Sequence, residues 1–220
     1  MKMAPVGAVT GRRSRLLGVV AALVMGAALT ACSDGHVVSS ESQQVYLKVP
    51  SNWTVFNEHE LSKDGAFSSL FTSAPIFAAI AFGTKHARPG DAFTPTRYPW
   101  AIVVVRPLSA AEQSQMSLNG LRDVLFNVDT LQTEGANVNS LTSPSLLVKG
   151  SLHGTLVAYE IQGSPASSAL AYEQETWVNS ATNKVWALMA GCSPSCFQAQ
   201  QPVINRIVQS FLVTDRGGND

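Results

Sequence analysis

A charge-free apolar run near the beginning of the sequence limits what the rest of the chain can fold into. The run covers Leu16 to Ala31, "LLGVVAALVMGAALTA", and the residues before it include Lys2, Arg12, Arg13 and Arg15. Its 16 residues are fewer than the roughly 20 that a transmembrane helix needs. A basic segment followed by a short apolar run is typical of a secretory signal. We therefore predict that residues 1–31 are a signal peptide and that the folded domain follows it.

The last residues of this run, Leu29-Thr30-Ala31-Cys32, resemble the lipobox of bacterial lipoproteins. The resemblance implies that the signal is cleaved before Cys32 and that the Cys32 thiol carries a diacylglyceryl group. Two acyl chains hold a protein stably on a membrane, whereas one holds it only marginally. The expected location is the extracytoplasmic face of the cell membrane. The alternative is an ordinary signal peptide that ends in a chance cysteine.

The charge of the remaining chain argues against nucleic acid as a partner. The sequence has 15 basic and 15 acidic residues, and because four of the basic ones precede Cys32, 11 remain beside all 15 acidic residues. Nucleic-acid binding requires a basic surface. We expect the protein to meet the membrane through the lipid on Cys32 and to have no nucleic-acid partner.

The length and composition after Cys32 predict one domain with a short tether. Residues 32–44 are polar and rich in serine, as in a flexible linker. Residues 45–213 are enough for a single hydrophobic core and are predicted to form the globular domain. Residues 214–220 are predicted to be a frayed tail.

Apolar patterns predict about six or seven strands, mostly antiparallel. Residues 45–49 alternate between apolar and polar side chains, and residues 53–56 favour a second short strand. The apolar run at residues 76–82 favours a strand over a helix, and the β-branched residues 102–105 are typical of a central strand. Two hairpins follow, with turns near residues 150–154 and 180–183.

Two helices are predicted to cover this sheet. Ser109 and Glu112 have the spacing of a capping box. The helix that they open places five apolar residues on one face: Leu118, Leu121, Val124, Leu125 and Val128. The second helix is predicted to begin at Pro202, since proline is unfavourable inside a helix. An antiparallel sheet of about six or seven strands covered by helices is an α+β fold.

The order of these elements resembles the PsbP/Mog1-like α/β/α sandwich, which occurs in many actinobacterial lipoproteins. The resemblance covers roughly residues 45–213. It includes the Pro-x-x-Trp of "VPSNWTV" and the Ile-Val-x-Ser-Phe of "INRIVQSFLV". It implies a binding or assembly module without catalysis.

The two other cysteines, Cys192 and Cys196, are predicted to form a structural disulfide. Thiols this close together are oxidised in an extracytoplasmic compartment. Redox pairs of the thioredoxin type have two intervening residues, whereas this pair has three. The disulfide is expected to join the last strand to the last helix.

No catalytic residue, metal site or cofactor is predicted from the motifs. The four histidines, His36, His59, His86 and His153, have no short metal-ligand spacing. Glu173 and Glu175 share one face of a predicted strand, and we expect that face to be solvated. The alternative function is an envelope hydrolase whose serine, histidine and acidic residue come from distant positions in the sequence. Ser151 and His153 are close in the sequence, but these two residues alone do not make a catalytic triad.

The candidate ligand cleft is predicted in the long middle section, residues 57–99. Compact domains rarely keep such a long irregular segment without a function. The candidate lining residues are aromatic: Phe77, Phe82, Tyr98 and Trp100. The expected ligand is another envelope protein or a small apolar molecule. The alternative is that residues 75–83 form a core strand and that the rest is a solvated loop.

Overall fold

The computed structural model describes residues 35–63, 75–162, 169–179 and 183–214. The predicted signal peptide, Cys32 and the tail beyond Thr214 lie outside these residues. The described residues form eleven strands: β1 (Gly35–Ser40), β2 (Val45–Pro50), β3 (Thr54–Asn57), β4 (Phe77–Phe82), β5 (Trp100–Pro107), β6 (Asn137–Ser140), β7 (Ser145–Lys149), β8 (Leu152–Gln162), β9 (Leu170–Asn179), β10 (Lys184–Cys192) and β11 (Leu212–Val213). The helices are α1 (Glu58–Lys63), α2 (Ala110–Gln115), α3 (Leu118–Arg122), α4 (Val128–Thr133) and α5 (Pro194–Gln209).

Eight of these strands form one antiparallel sheet in the order β3-β4-β5-β10-β9-β8-β6, with β7 also paired to β8. The central strands β5 and β10 are apolar along nearly their whole length because both faces of the sheet are covered. One face packs against α5, and the other packs against residues of α1, α4 and the loop before β5. The predicted α+β class is confirmed. The β7–β8 hairpin was predicted, whereas the short edge strand β6 was not.

The polar segment that was predicted to be a flexible tether is largely a strand, which corrects the predicted domain boundary. Residues 35–40 form β1, which pairs antiparallel with β2, and β2 pairs on its other side with β11. Val38 is buried beneath this three-stranded sheet, and residues 41–44 are the turn between its first two strands. Serine-rich composition indicated a linker, but backbone pairing to β2 and one buried valine order the segment.

The single helix predicted after Ser109 is three short helices in the structure. The predicted capping box is present, since Ser109 and Glu112 each accept a hydrogen bond from the backbone N–H of the other. Ser117 then adopts an extended conformation and caps α3, and Asn127 caps α4 in the same way. Side-chain oxygens of serine and asparagine compete with the helical backbone, and here they restart the helix twice.

The last helix begins earlier than predicted. It starts at Pro194 and contains Pro202 in its interior. Pro202 and Gln198, whose carbonyl loses its helical partner at this turn, are both exposed residues. Ile204, Ile207 and Val208 are buried against the sheet, and this apolar face stabilises the helix despite the proline.

The structure contains the predicted disulfide. Cys192 ends β10 and Cys196 lies in the first turn of α5, with their Cα atoms 5.8 Å apart. The bond therefore joins the last strand of the main sheet to the helix that covers it. No helix in the described part of the chain is long and apolar enough to cross a membrane.

Candidate functional site

The aromatic residues predicted to line a cleft belong mainly to the core. Phe82 and Trp100 are completely buried. Phe77 packs in the core on the opposite face of the sheet from them. Tyr98 is half-buried, and its hydroxyl donates a hydrogen bond to Asp91 Oδ2 at 2.9 Å.

The loop before β5 explains why these residues are covered. Its aromatic residue Phe93 contacts the Trp100 ring at a centroid distance of 5.4 Å, and Tyr98 contacts Phe82 at 6.3 Å. The Thr96 carbonyl accepts a hydrogen bond from the backbone N–H of Ser193, which holds the loop against the beginning of α5. The described part of the long section therefore consists of helix α1, the core strand β4 and a packed loop; residues 64–74 lie outside the described residues.

An apolar pocket of about 480 Å³, which we call the hairpin pocket, lies beside the β7–β8 hairpin. Its position is near the ends of β5 and β9 that are remote from Trp100. Its apolar lining residues are Leu108, Met116, Leu121, Leu146 and Val178. Its polar lining residues are Gln113, Ser117, His153 and Asn183. A mainly apolar concavity with a few polar groups is the usual form of a binding site for a small ligand or side chain.

One wall of the hairpin pocket is held by a charged contact between α2 and β5. The Arg106 guanidinium donates to Glu112 Oε1 at 2.7 Å. Burial alone would raise the pKa of Glu112, but the hydrogen bonds from Ser109 and Arg106 outweigh it and lower the pKa. Glu112 is therefore ionised at neutral pH, and its contacts fix α2, which carries Gln113, over the end of the sheet.

A buried amide fixes the next wall. Gln174, on β9, is completely buried, and its Nε2 donates to the carbonyl oxygens of Leu121 and Arg122 at 3.2 and 2.8 Å. Carbonyls at the end of a short helix otherwise lack partners. The contact ties the end of α3, including the lining residue Leu121, to the sheet. The hairpin pocket is thus bounded by side chains on anchored elements.

The polar residues of the hairpin pocket provide hydrogen bonding but no acid. The part of the lining that the structure describes contains no carboxylate. Ser117 Oγ accepts a hydrogen bond from the N–H of Gly120 as the cap of α3. His153 is exposed at the pocket, whereas Ser151, two residues away, lies in the hairpin turn next to Asn179. Within the described ranges, no three His, Cys, Asp or Glu residues are placed to hold a metal ion.

A second concavity, the helix groove, lies on the opposite face of the sheet. It has a volume of about 650 Å³ and is bordered by α5 and by strands β8 and β9. Its lining includes Glu160, Glu173 and Phe197.

Burial raises the pKa of Glu173. Glu175 is on the same face, and burial, with a smaller effect of the Glu173 charge, raises its pKa to about 7 despite a hydrogen bond from Trp177. The face predicted to be solvated is therefore partly covered.

The raised pKa of Glu175 predicts that stability falls as the pH rises. The carboxyl binds its proton more tightly in the folded protein than in the unfolded chain, so this group costs stability between pH 4.5, its ordinary pKa, and about pH 7. Glu175→Gln keeps an oxygen for the Trp177 N–H and removes the ionisation. The free energy of unfolding of Glu175→Gln minus that of the unsubstituted protein is the quantity of interest. We expect this difference to increase by about 2 kcal/mol between pH 4.5 and pH 8.

Urea unfolding of both proteins at the two pH values measures this gain. Glu160→Gln is the matched control, because Glu160 lies in the same groove. If the difference in the free energy of unfolding between Glu175→Gln and the unsubstituted protein did not change with pH, the raised pKa of Glu175 would be contradicted.

Comparison with known proteins identifies the fold. No protein family model and no curated protein sequence matches the chain. Among solved structures, the cyanobacterial PsbP protein CyanoP of Synechocystis sp. PCC 6803 superposes with a TM-score of 0.53 at 8% identity, over 84% of this chain and 99% of that chain. The chain has a PsbP-like fold. This confirms the predicted fold class.

Two further structures are similar to a lesser degree. Mog1p, a Ran-binding protein of Saccharomyces cerevisiae, gives a TM-score of 0.46 at 10% identity, over 84% of this chain and 97% of that chain. LpqN, involved in cell envelope biogenesis of Mycobacterium tuberculosis, gives 0.48 at 13% identity, over 84% of this chain and 88% of that chain.

The lining of the hairpin pocket was missed by sequence reasoning, although one signal for it exists. The segment "SLLVKG" places three apolar residues in succession, Leu146, Leu147 and Val148. In a strand with one buried face, such a run leaves apolar side chains on the other face. The remaining lining residues come from separate elements, and their convergence depends on the tertiary fold.

Proposed function

We propose that this protein is a lipid-anchored protein of the cell envelope that binds a ligand without catalysis. The ligand is an apolar group, supplied by another envelope protein or by a small apolar molecule. The observation that carries the proposal is the hairpin pocket, whose described lining has five apolar residues, among them the exposed Leu146 of β7. Binding sites are commonly preformed in this way, so that little ordering is needed when the ligand arrives.

The proposed location follows from the sequence before the domain. The basic segment, the apolar run and the lipobox-like Leu29-Thr30-Ala31-Cys32 support export, cleavage before Cys32 and diacylglyceryl modification of its thiol. The anchor would hold the domain on the extracytoplasmic face of the cell membrane, where envelope proteins and apolar molecules are available as ligands.

The chemistry of the hairpin pocket favours binding over the rival function of an envelope hydrolase. A hydrolase of the serine type needs a nucleophile, a base and an acid that orients the base. His153 would be the base, but none of the described residues that line the pocket has a carboxylate. Among the described lining residues, Ser117 uses its hydroxyl oxygen to cap α3.

Photo-crosslinking from the hairpin pocket tests the proposed function. A benzophenone amino acid replaces His153, which is exposed at the pocket, in the full-length protein in its native envelope. We expect a specific adduct with one envelope protein or one apolar molecule. Val178→Phe, which adds volume to a half-buried position of the lining, should reduce the yield about tenfold or more, since the ligand and the new ring compete for the same space.

The matched control places the benzophenone at Val37, whose side chain is also exposed but lies on β1. Equal adduct patterns from both positions, or an adduct from residue 153 that Val178→Phe leaves unchanged, would show that the hairpin pocket is not the ligand site.

A further inference from the structure

The outer strand β7 is an apolar edge of the main sheet. Among the described residues it pairs only with β8, and the side chains of Leu146 and Val148 are each 60% exposed. Proteins usually protect such edges with charges, prolines or bulges, because an unpaired apolar strand is a template for another strand. In β7 the only charged residue is Lys149, at the end of the strand.

The register of the hairpin shows which backbone groups of β7 remain available. β7 and β8 are joined by the two-residue turn Gly150-Ser151, with Gly150 at φ +60°. The residues that close such a turn, Lys149 and Leu152, exchange both backbone hydrogen bonds. Hydrogen-bonded and non-hydrogen-bonded pairs alternate along an antiparallel ladder. Leu147 therefore also bonds to β8, whereas the N–H and C=O groups of Leu146 and Val148 point away from β8. The residues with exposed apolar side chains thus also present backbone groups that no described strand pairs.

The pattern of β7 is self-complementary. When two copies of Ser145–Lys149 run antiparallel and are centred on Leu147, Leu146 of each copy lies opposite Val148 of the other, in a hydrogen-bonded pair. Leu147 lies opposite Leu147 in a non-hydrogen-bonded pair, and each Lys149 lies opposite a serine. Every outward backbone group then finds a partner, apolar side chains meet apolar side chains, and like charges do not face each other.

We propose that β7 pairs with β7 of a second copy of this chain, which joins the two main sheets across a two-fold axis. A two-fold interface uses the same surface patch on both copies, as this register requires. Because Leu146 also lines the hairpin pocket, Val148 of the partner subunit would extend the pocket wall. The pairing depends on β7 alone and not on the identity of any ligand in the pocket.

Cysteine crosslinking of the full-length protein in its native membranes tests the pairing. Opposite residues in a non-hydrogen-bonded pair have Cα atoms about 4.5 Å apart, which is within disulfide reach, so we expect Leu147→Cys to give at least about tenfold more covalent dimer on mild oxidation than Glu134→Cys. Glu134 is exposed and follows α4, so it reports random collision.

A second substitution decides whether the dimer forms through β7. Val148→Lys, added to Leu147→Cys, should reduce the covalent dimer about tenfold, because a lysine on an edge strand opposes strand addition. Leu212→Lys, at an exposed leucine on β11, should leave it unchanged. Without any cysteine substitution, sedimentation of the detergent-solubilised protein should show a dimer that Val148→Lys converts to a monomer.

Several results would overturn the proposal. They are equal crosslinking of Leu147→Cys and Glu134→Cys, insensitivity of both assays to Val148→Lys, or a monomer at every concentration with no covalent dimer. Crosslinking of Leu147→Cys to a different envelope protein in place of a second copy would also overturn it, and would assign the edge to that protein.

Discussion

Replacing Cys32 by serine is expected to abolish membrane attachment of the protein. In the proposed mature form, the lipid on Cys32 is the attachment, because the remaining charge is acidic and cannot hold the domain on anionic lipid. Serine has no thiol to receive the diacylglyceryl group. After cell fractionation, nearly all of the unsubstituted protein should pellet with the membranes, and nearly all of the Cys32→Ser protein should not.

Mass spectrometry of the membrane-extracted protein provides the direct measurement, which should show an N-terminal cysteine with a lipid modification. The matched control replaces Cys192 and Cys196 together, which removes the other two cysteines and should leave attachment unchanged. If Cys32→Ser remained in the membrane fraction after a carbonate wash, or if Cys32 carried no modification in the native host, the lipoprotein assignment would be wrong.

Trp186→Ala is expected to lower the free energy of unfolding by about 3–5 kcal/mol, the usual cost of truncating a buried aromatic residue to alanine. Trp186 is one of the largest completely buried side chains. Its Nε1 also donates to the carbonyl oxygen of Gln43 at 2.7 Å, in the turn between β1 and β2. The substitution therefore removes core packing and one of the hydrogen bonds that tie this turn to β10.

Trp186→Phe separates the two contributions. It keeps much of the ring volume and removes the hydrogen bond, so we expect a loss of about 1–3 kcal/mol. Val37→Ala, at an exposed position on the neighbouring β1, is the control and should change stability by less than about 0.5 kcal/mol. Urea unfolding measures all three. A loss for Trp186→Ala no larger than that for Val37→Ala would refute the assignment of this residue to the core.

The sequence was sufficient to predict the elements with regular apolar patterns. The continuous β-branched run in β5 and the alternation in β2 were recognised because burial on two faces or one face leaves a direct imprint on sequence. The disulfide was predictable because its two cysteines are close in the chain. The ends of the helices were less predictable, because Ser117 and Asn127 interrupt a continuous apolar stripe and Pro202 does not interrupt one.

The position of the candidate site could not be predicted from the same patterns. Phe82 and Trp100 are aromatic residues next to a long loop, and only the packing of that loop shows that they are core. The hairpin pocket instead combines side chains from the α2–α3 region, the β7–β8 hairpin and β9. Such a site has no local signature, since it exists only where distant segments meet. The strand β1 is a similar case, because its serine-rich sequence has no strand pattern of its own and it is ordered by pairing with β2.

The three-stranded sheet of β1, β2 and β11 limits how early the domain can finish folding. Its middle strand, β2, lies between β1 and β11, so it pairs with both the earliest and the latest strands of the described chain. The Lys48 backbone N–H donates to Ser210 Oγ across a sequence separation of 162 residues. Contacts between such distant residues form late, because a large loop must close first. In a chain that emerges N-terminus first, from a ribosome or a translocation channel, β2 must wait with one edge unpaired until nearly every later residue has emerged.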